Sequence, residues 1–452
     1  MAHPSTIDLT TGSIPHHLAK LSIPMVWGIL SIVSMQVVDA YYVAKTGQIA
    51  LEAISFTFPV TGILFNLVMG LSIATSSICS RFIGAGQVDN LKQFMAHVIM
   101  LSGIYILGLA AVGEWVMPSI FAQMGASEAH MPYILSFMRI SLWGYIFLAI
   151  PFVVNASLRA AGDSLIPSFI MLTVSLINIP LAGVLVLGIG SFEGWGIAGA
   201  ATANVISNGI GAIAALYILI VHKKMLDRAH LTLTGVGLSA KRLFSIALPV
   251  GITNMIVPLA SAVITSFLAL SGASAVAAYG IISRIEGLAS VILMAIAIGM
   301  GPLIGQNFGA KKMDRVEKTI SVGISFCLAW SFMTGALLMG FGDQVAQLFT
   351  QDPETIHITH TYFMIIGLSA GIANIAIGWS TAWNAMGRPR YSALISIVRY
   401  GLCVIACAYI GHMIGGWNGL FTGLLIGNLI SGIILHIYSK RILQTLKKEQ
   451  GD

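Results

Sequence analysis

The residue that first suggests chemistry is a lone carboxylate, Asp39 in "SMQVVDAYYV" (34–43), near the end of an apolar run that starts at about Leu18. An acid at the centre of a membrane helix costs about 2.5–3.5 kcal/mol on insertion scales, and acids kept at such depth usually line a cavity or a proton path. A carboxyl shielded from water can bind and release a proton or hold a cation. The plainer alternative is an interfacial aspartate that reaches water. Gln36 lies three residues earlier, on the same face if the run is helical. Pro24, fifteen residues before Asp39, lacks an N–H and lets a helix bend, although it could equally be a fixed kink.

Other chemistry-bearing patterns are sparse. Arg284 and Glu286 share an apolar run, but at i,i+2 they point in different directions and do not form a simple pair. They suit core packing as well as proton or substrate contact. Arg139 and Arg399 also fall inside apolar runs, where bonds to carbonyls or snorkelling towards an interface would accommodate them. "GLSAG" (367–371) fits the G-x-S-x-G pattern formally, yet that pattern needs a strand-to-helix turn and Ser369 falls in an apolar, helix-like run. There is no H-E-x-x-H, phosphate-binding loop or metal-ligand spacing, so neither ATP nor a resident metal is expected. Cys79, Cys327, Cys403 and Cys407 all lie in apolar segments and imply no disulfide framework.

The elements that position these residues follow from composition. Of 452 residues, 57% are hydrophobic and 9% are charged, whereas soluble domains carry about 25% charged residues. The chain cannot cover a water-facing surface, and it is expected to be an all-α integral membrane protein. Twelve runs reach the roughly 20 residues a membrane helix needs, near 18–43, 51–81, 92–114, 132–157, 165–189, 196–221, 242–270, 274–307, 317–341, 356–385, 391–411 and 418–439. Of the 23 Lys and Arg, 19 fall in alternate connections, Lys223, Lys224, Arg228, Lys311 and Lys312 among them. That bias places both termini in the cytoplasm, and it accounts for the net charge of +6 without nucleic-acid binding.

The chain also repeats itself. "LSIPM" (21–25) returns as "IALPV" (246–250), "FIGAG" (82–86) as "NFGAK" (307–311), and "RAAGD" (159–163) as "NAMGR" (384–388), each at an offset of 225. "EGWG" (193–196) returns as "GGWN" (415–418) at an offset of 222. Each copy holds six helices, so the repeat is parallel: an N-lobe over 1–221, a polar linker over 222–241 and a C-lobe over 242–452. Two pseudo-symmetric lobes suit alternating access, the mechanism of a transporter, and no channel filter sequence is present.

"SRFIGAGQVDNLK", "GPLIGQNFGAKKMDR", "NASLRAAGDSLIPS", "AWNAMGRPRYSALIS" and "EGWGIAGAATANVIS" together resemble multidrug and toxic compound extrusion (MATE) transporters, from about Leu18 to Arg441. The stretch 279–310 resembles the DinF-like branch. No acid occurs in the seventh or tenth run, where the NorM-like branch places them. The resemblance implies export of cationic or amphipathic drugs in exchange for H+ or Na+ by a monomer in the bacterial inner membrane, surrounded by lipid and without a further cofactor. It implies Asp39 as the proton-coupling carboxylate. Asn178, Asn204, Gln36 and Asn208 are its expected polar surroundings and Pro24 its helix bend, ordinary interhelical hydrogen bonding being the alternative for the amides. Relatives often carry an acid at position 182, where this chain has Ala182. Without it a sodium site loses a charged oxygen ligand, which favours H+. A lipid-exporting flippase of the same general architecture is the remaining transport alternative.

Overall fold

A computed structural model describes residues 6–227, 230–367 and 369–451, so Arg228, one of the basic residues used for orientation, lies outside the described residues. The described chain is almost wholly helical: α1 (Ile14–Ala44), α2 (Gln48–Gly84), α3 (Val88–Gln123), α4 (Met131–Ala160), α5 (Leu165–Leu187), α6 (Ile197–Tyr217, prolonged by a π turn over Ile218–His222), α7 (Val236–Ala269), α8 (Ala273–Gly309), α9 (Met313–Gln347), α10 (Pro353–Ile366), α11 (Ser369–Ala385), α12 (Pro389–Ser396, followed by a π stretch Ile397–Val404) and α13 (Ile405–Gly451). Among the described residues, ten helical segments are long and apolar enough to cross a membrane. Two breaks bring the number to twelve. The α10–α11 pair, bent by 65°, forms one more span. Gly415 and Gly416 (φ 56°, ψ −139°) interrupt α13 and divide the tenth segment in two.

The single helix expected over 356–385 is therefore broken between α10 and α11. The backbone is crowded there, since a Cβ on Gly335 of α9 would run into the Gly367 carbonyl. Asp352 caps α10 by accepting from the Thr355 hydroxyl (2.5 Å) and backbone N–H (3.0 Å). Those two bonds hold its carboxyl below the usual carboxylate range. The cap is consequently intact at neutral pH and is lost as pH falls through that lowered value.

The chain divides into two compact units. One holds Ile23–Leu248 with the described residues before Leu9; the other holds Pro249–Asp452 with Leu9–Ser22. Helix α1 thus changes unit between Ser22 and Ile23, one residue before Pro24, and α7 changes unit at Pro249, the counterpart of Pro24 in the repeat. The segment before each of these helices is held by backbone carbonyls. In the second unit, Asn307 donates to Leu9 O (3.2 Å), Lys312 to Thr10 O (3.0 Å) and Arg315 to Gly12 O (3.0 Å), while Leu9 N donates to Gln306 Oε1 (3.0 Å). In the first, His97 Nε2 donates to Thr232 O (2.8 Å) and Gln93 to Thr234 O (2.9 Å), and Lys223 pairs with Asp163 (2.8 Å). The described residues of 222–241 belong to the first unit, and α7 already begins at Val236 among them.

Backbone geometry repeats along with sequence. Gly47 and Gly272, Gly162 and Gly387, and Gly86 and Lys311 all have positive φ, and each pair keeps the offset of the sequence repeat. The last pair of spans drifts further than the motif suggested. Gly196 (φ 55°, ψ −131°) opens α6 as Gly416 opens the end of α13, an offset of 220 rather than 222. Gly199 and Gly419 keep that offset and do the same job. A Cβ on Gly199 would collide with the Leu185 carbonyl of α5, and one on Gly419 with the Gly411 carbonyl. Small residues admit such close helix approach in membranes.

Gly199→Val is therefore expected to destabilise the N-terminal unit by about 1–3 kcal/mol or more, since overpacking at a rigid contact cannot relax. Thermal unfolding of purified protein in detergent should show a transition several degrees lower. Gly62→Ala is the control: nothing lies within 4 Å of its added Cβ, so the transition should stay in place or rise.

Candidate functional site

Three helices of the first unit converge on Asp39. Helix α1 supplies the carboxylate, which is 9% exposed; α5 supplies Asn178, which is fully buried; α6 supplies Asn204. Asn204 Nδ2 donates to Asp39 Oδ2 at 2.9 Å and also to Ala200 O at 3.1 Å. With its amide oriented to suit its neighbours, Asn178 Nδ2 donates to Asp39 Oδ1 at 2.9 Å, and its oxygen accepts from the Asn204 backbone N–H at 3.3 Å. Each carboxylate oxygen thus receives one neutral N–H donor. Among the described residues no cation pairs with Asp39.

Local sequence explains why these groups meet. α6 reads "IAGAATANVISNGIGA", with small residues against α5: Gly199 beside the Leu185 carbonyl and Gly211 beside Val174. The connection between them is a tight reversal in which Gly188, Gly194 and Gly196 adopt positive φ and Ile189 bridges Phe192. That reversal returns α6 alongside α5 and sets Asn204 beside Asn178.

The other expected members behave differently. Asn208 is buried but donates to the Asn204 backbone carbonyl (2.8 Å), one step removed from the carboxylate. Gln36 is exposed and makes no bond to Asp39; three residues leave it about 60° round the helix from Asp39, at the edge of the face that meets α5 and α6. Pro24 sits inside a continuous α1. Ala182 is buried and contributes no oxygen ligand from its side chain. Among the described residues no group of three or more His, Cys, Asp or Glu could hold a metal ion.

The second repeat lacks this site. The counterparts of Asp39 and Asn204 are Ile264 and Leu424, at the offsets of 225 and 220, and both lie in an apolar core cluster with Phe421 and Tyr362. The C-terminal unit carries its own, half-buried acid elsewhere. Glu286 of α8 accepts a 2.6 Å hydrogen bond from the Tyr362 hydroxyl of α10. Arg284, two residues away, is exposed. Sequence reading missed the Glu286–Tyr362 pair, because its members stand on different helices far apart in the chain and no local motif links them. Arg139 pairs with the Glu114 carboxylate (2.7 Å) rather than with a carbonyl, and Arg399 lies over the Tyr400 ring (4.9 Å). Ser369 opens α11 and donates to Ile366 O, with no strand-to-helix turn around it.

Comparison with known proteins finds the same two halves. The MatE family model matches twice, at residues 24–184 and 249–410, and the two matches start at Pro24 and Pro249, the paired prolines of the repeat. The chain is 33% identical over 444 residues to a FAD transporter of Shewanella oneidensis, covering 98% of both proteins. It is 26% identical over 450 residues to the multidrug export protein MepA of Staphylococcus haemolyticus, covering 96% of both. The crystal structure of the Vibrio cholerae MATE transporter VcmN in the bent form superposes with a TM-score of 0.90 at 28% identity, covering 97% of this chain and 99% of that one.

Thermal unfolding of single and double variants tests the site. A cycle between Asp39→Ala and Asn178→Ala, and another with Asn204→Ala, should each give a coupling energy of about 1.5–3 kcal/mol, the range for hydrogen bonds to charged groups. Gln36→Ala should combine with Asp39→Ala additively.

Proposed function

The chain belongs to the MatE family of transporters, and on that premise we propose that it is a secondary antiporter that exports cationic or amphipathic compounds in exchange for protons, with Asp39 carrying the proton. The observation that supports this reading is the buried carboxylate held by neutral amides alone. Both oxygens are already engaged by N–H donors, and Ala182 offers no second acid, an arrangement poor in the oxygen ligands that Na+ needs.

The same geometry gives protonation a structural consequence. A proton on either Asp39 oxygen weakens that oxygen as an acceptor and adds an O–H donor with no acceptor opposite it, so the amide arrangement that suits the ionised form no longer suits the acid. Turning the Asn178 amide end for end presents its carbonyl oxygen to the acid and restores a bond, at the expense of its contact with the Asn204 N–H. Ionised and protonated Asp39 therefore prefer different packing of α5 and α6 around α1, and a ligand shifts a conformational equilibrium only through such differential affinity. Pro24 is the place where α1 can yield. It donates no N–H to the preceding turn, and there the helix changes unit. On this reading proton binding repacks the N-terminal unit, bends α1 and releases substrate outwards, in a bacterial inner membrane with both termini in the cytoplasm.

A second reading concerns the substrate alone. The FAD transporter relative favours export of flavin dinucleotide, an anion with a large aromatic ring, by the same coupling.

Purified protein in liposomes separates these possibilities. Vesicles loaded with ethidium or with FAD are placed under an imposed pH gradient or an imposed Na+ gradient. Efflux driven by the pH gradient is expected, with Asp39→Asn reduced to the rate of empty vesicles and Pro24→Ala slowed about tenfold, some 1.4 kcal/mol in barrier height. Efflux driven by Na+ alone would overturn proton coupling. FAD efflux without ethidium efflux would establish the flavin reading.

A further inference from the structure

The C-terminal unit contains a cavity of about 100 Å³ lined by Glu286, Ser290, Trp330, Tyr362, Phe363 and Asn374, among others. Its polar lining groups are largely bonded to the protein itself. Trp330 Nε1 donates to Ala289 O (2.9 Å), the Tyr362 hydroxyl to Glu286 Oε1 (2.6 Å), the Ser290 hydroxyl to Glu286 O (2.7 Å) and Asn374 Nδ2 to Ser331 Oγ (2.9 Å). Thr334 is likewise committed to the Trp330 carbonyl (3.0 Å). Most of these donors are spent on the protein itself; the second Asn374 N–H and the hydroxyl hydrogen of Ser331, which accepts from Asn374, remain. Beside them stand acceptor and π surface: Glu286 Oε2, the Asn374 side-chain oxygen and the rings of Trp330, Tyr362 and Phe363.

The surrounding charges do not complete the carboxylate. Arg399 acts on Glu286 electrostatically, but among the described residues the two form no ion pair, and its guanidinium lies over the Tyr400 ring instead. Tyr279 lies near Glu286 and exchanges a hydrogen bond with Ser261. A carboxylate with a free oxygen beside an indole and a phenol ring can, when ionised, bind an organic ammonium through charge and cation–π attraction. Size sets the ligand class. Drug-sized sites run to about 300–1,000 Å³, whereas an apolar cavity of about 150 Å³ accepts benzene. This cavity fits one ammonium head group and excludes a whole drug.

We infer that the Glu286–Trp330–Tyr362 cavity is a subsite for the ammonium group of a cationic substrate, located in the repeat that lacks the Asp39 site. The inference rests on the cation-exporting reading and would not serve flavin dinucleotide, whose phosphates the carboxylate repels. It assigns the two acids separate tasks, the proton to Asp39 and the substrate's charge to Glu286.

The probe is tetramethylammonium, titrated by calorimetry into the purified full chain at neutral pH with no gradient present. Saturable binding is expected, weakened at least tenfold by Glu286→Gln and by Ala370→Met, which fills the cavity while leaving the acid in place. If Glu286→Gln fails to yield folded protein, Ala370→Met decides alone. No binding by the natural chain, or binding equal in the variants, overturns the inference. Ethidium efflux run in parallel keeps the two readings apart. Efflux with variant-insensitive binding sinks the subsite and spares the exporter, while Glu286-dependent binding without efflux does the reverse.

Discussion

A carboxylate withdrawn from water must find hydrogen-bond donors, and an isolated helix has none to give, since its interior N–H groups are already engaged. That requirement organises the N-terminal unit. Asp39 on α1 takes one donor from α5 and one from α6, so those two helices must lie close enough to present Asn178 and Asn204 side by side. Closeness in turn needs glycine where Gly199 meets the Leu185 carbonyl. It also needs the glycine-rich reversal over 188–196 to bring α6 back against α5. Remove the acid and this arrangement loses its purpose. The second repeat illustrates the point, for Ile264 and Leu424 fill the equivalent positions with an ordinary apolar core.

The repeat therefore fixes the scaffold, and departures from it mark the chemistry. Positive-φ turns recur at matching places in the two halves, and the α5–α6 glycine contact recurs near the end of α13. The polar groups do not recur. One unit holds its acid on the first helix, between two amides; the other holds Glu286 on its second, against a tyrosine hydroxyl. An arrangement built twice for packing alone would leave both acids unexplained, because each raises the difficulty of insertion without any gain in van der Waals contact.

How much of this was legible depended on where the signal lay. Twelve spans were visible because apolar runs of membrane length are unmistakable, and Asp39 was visible because a charge within one is rare. Asn178 and Asn204 entered through a family resemblance, since an amide in a membrane helix looks the same whether it serves a site or merely bonds a neighbouring helix. Gln36 misled because i,i+3 spacing leaves a wide arc, and a side chain at its edge can face outwards. The contacts that hold the stretch 222–241 were not legible because they run through the Thr232 and Thr234 carbonyls, and carbonyls carry no sequence signal. The α10–α11 break was hidden for a related reason: both halves are apolar, and a lone glycine within such a run is common in membrane helices.

Mechanical and chemical asymmetry meet in the first helix of each repeat. Both α1 and α7 pass from one unit to the other at a proline, Pro24 and Pro249. A proline there removes one intrahelical bond and leaves a joint of low stiffness. Two such joints by themselves permit motion without direction. Direction requires that a bound ion favour one arrangement over the other, and only α1 carries a titratable group in its far half, placed so that its charge decides how two neighbouring amides point. α7 has Ile264 in that place and takes no proton. A repeated scaffold with one such carboxylate is asymmetric in the way the proposed proton coupling requires, with one repeat able to respond to a proton and the other left to hold the cargo.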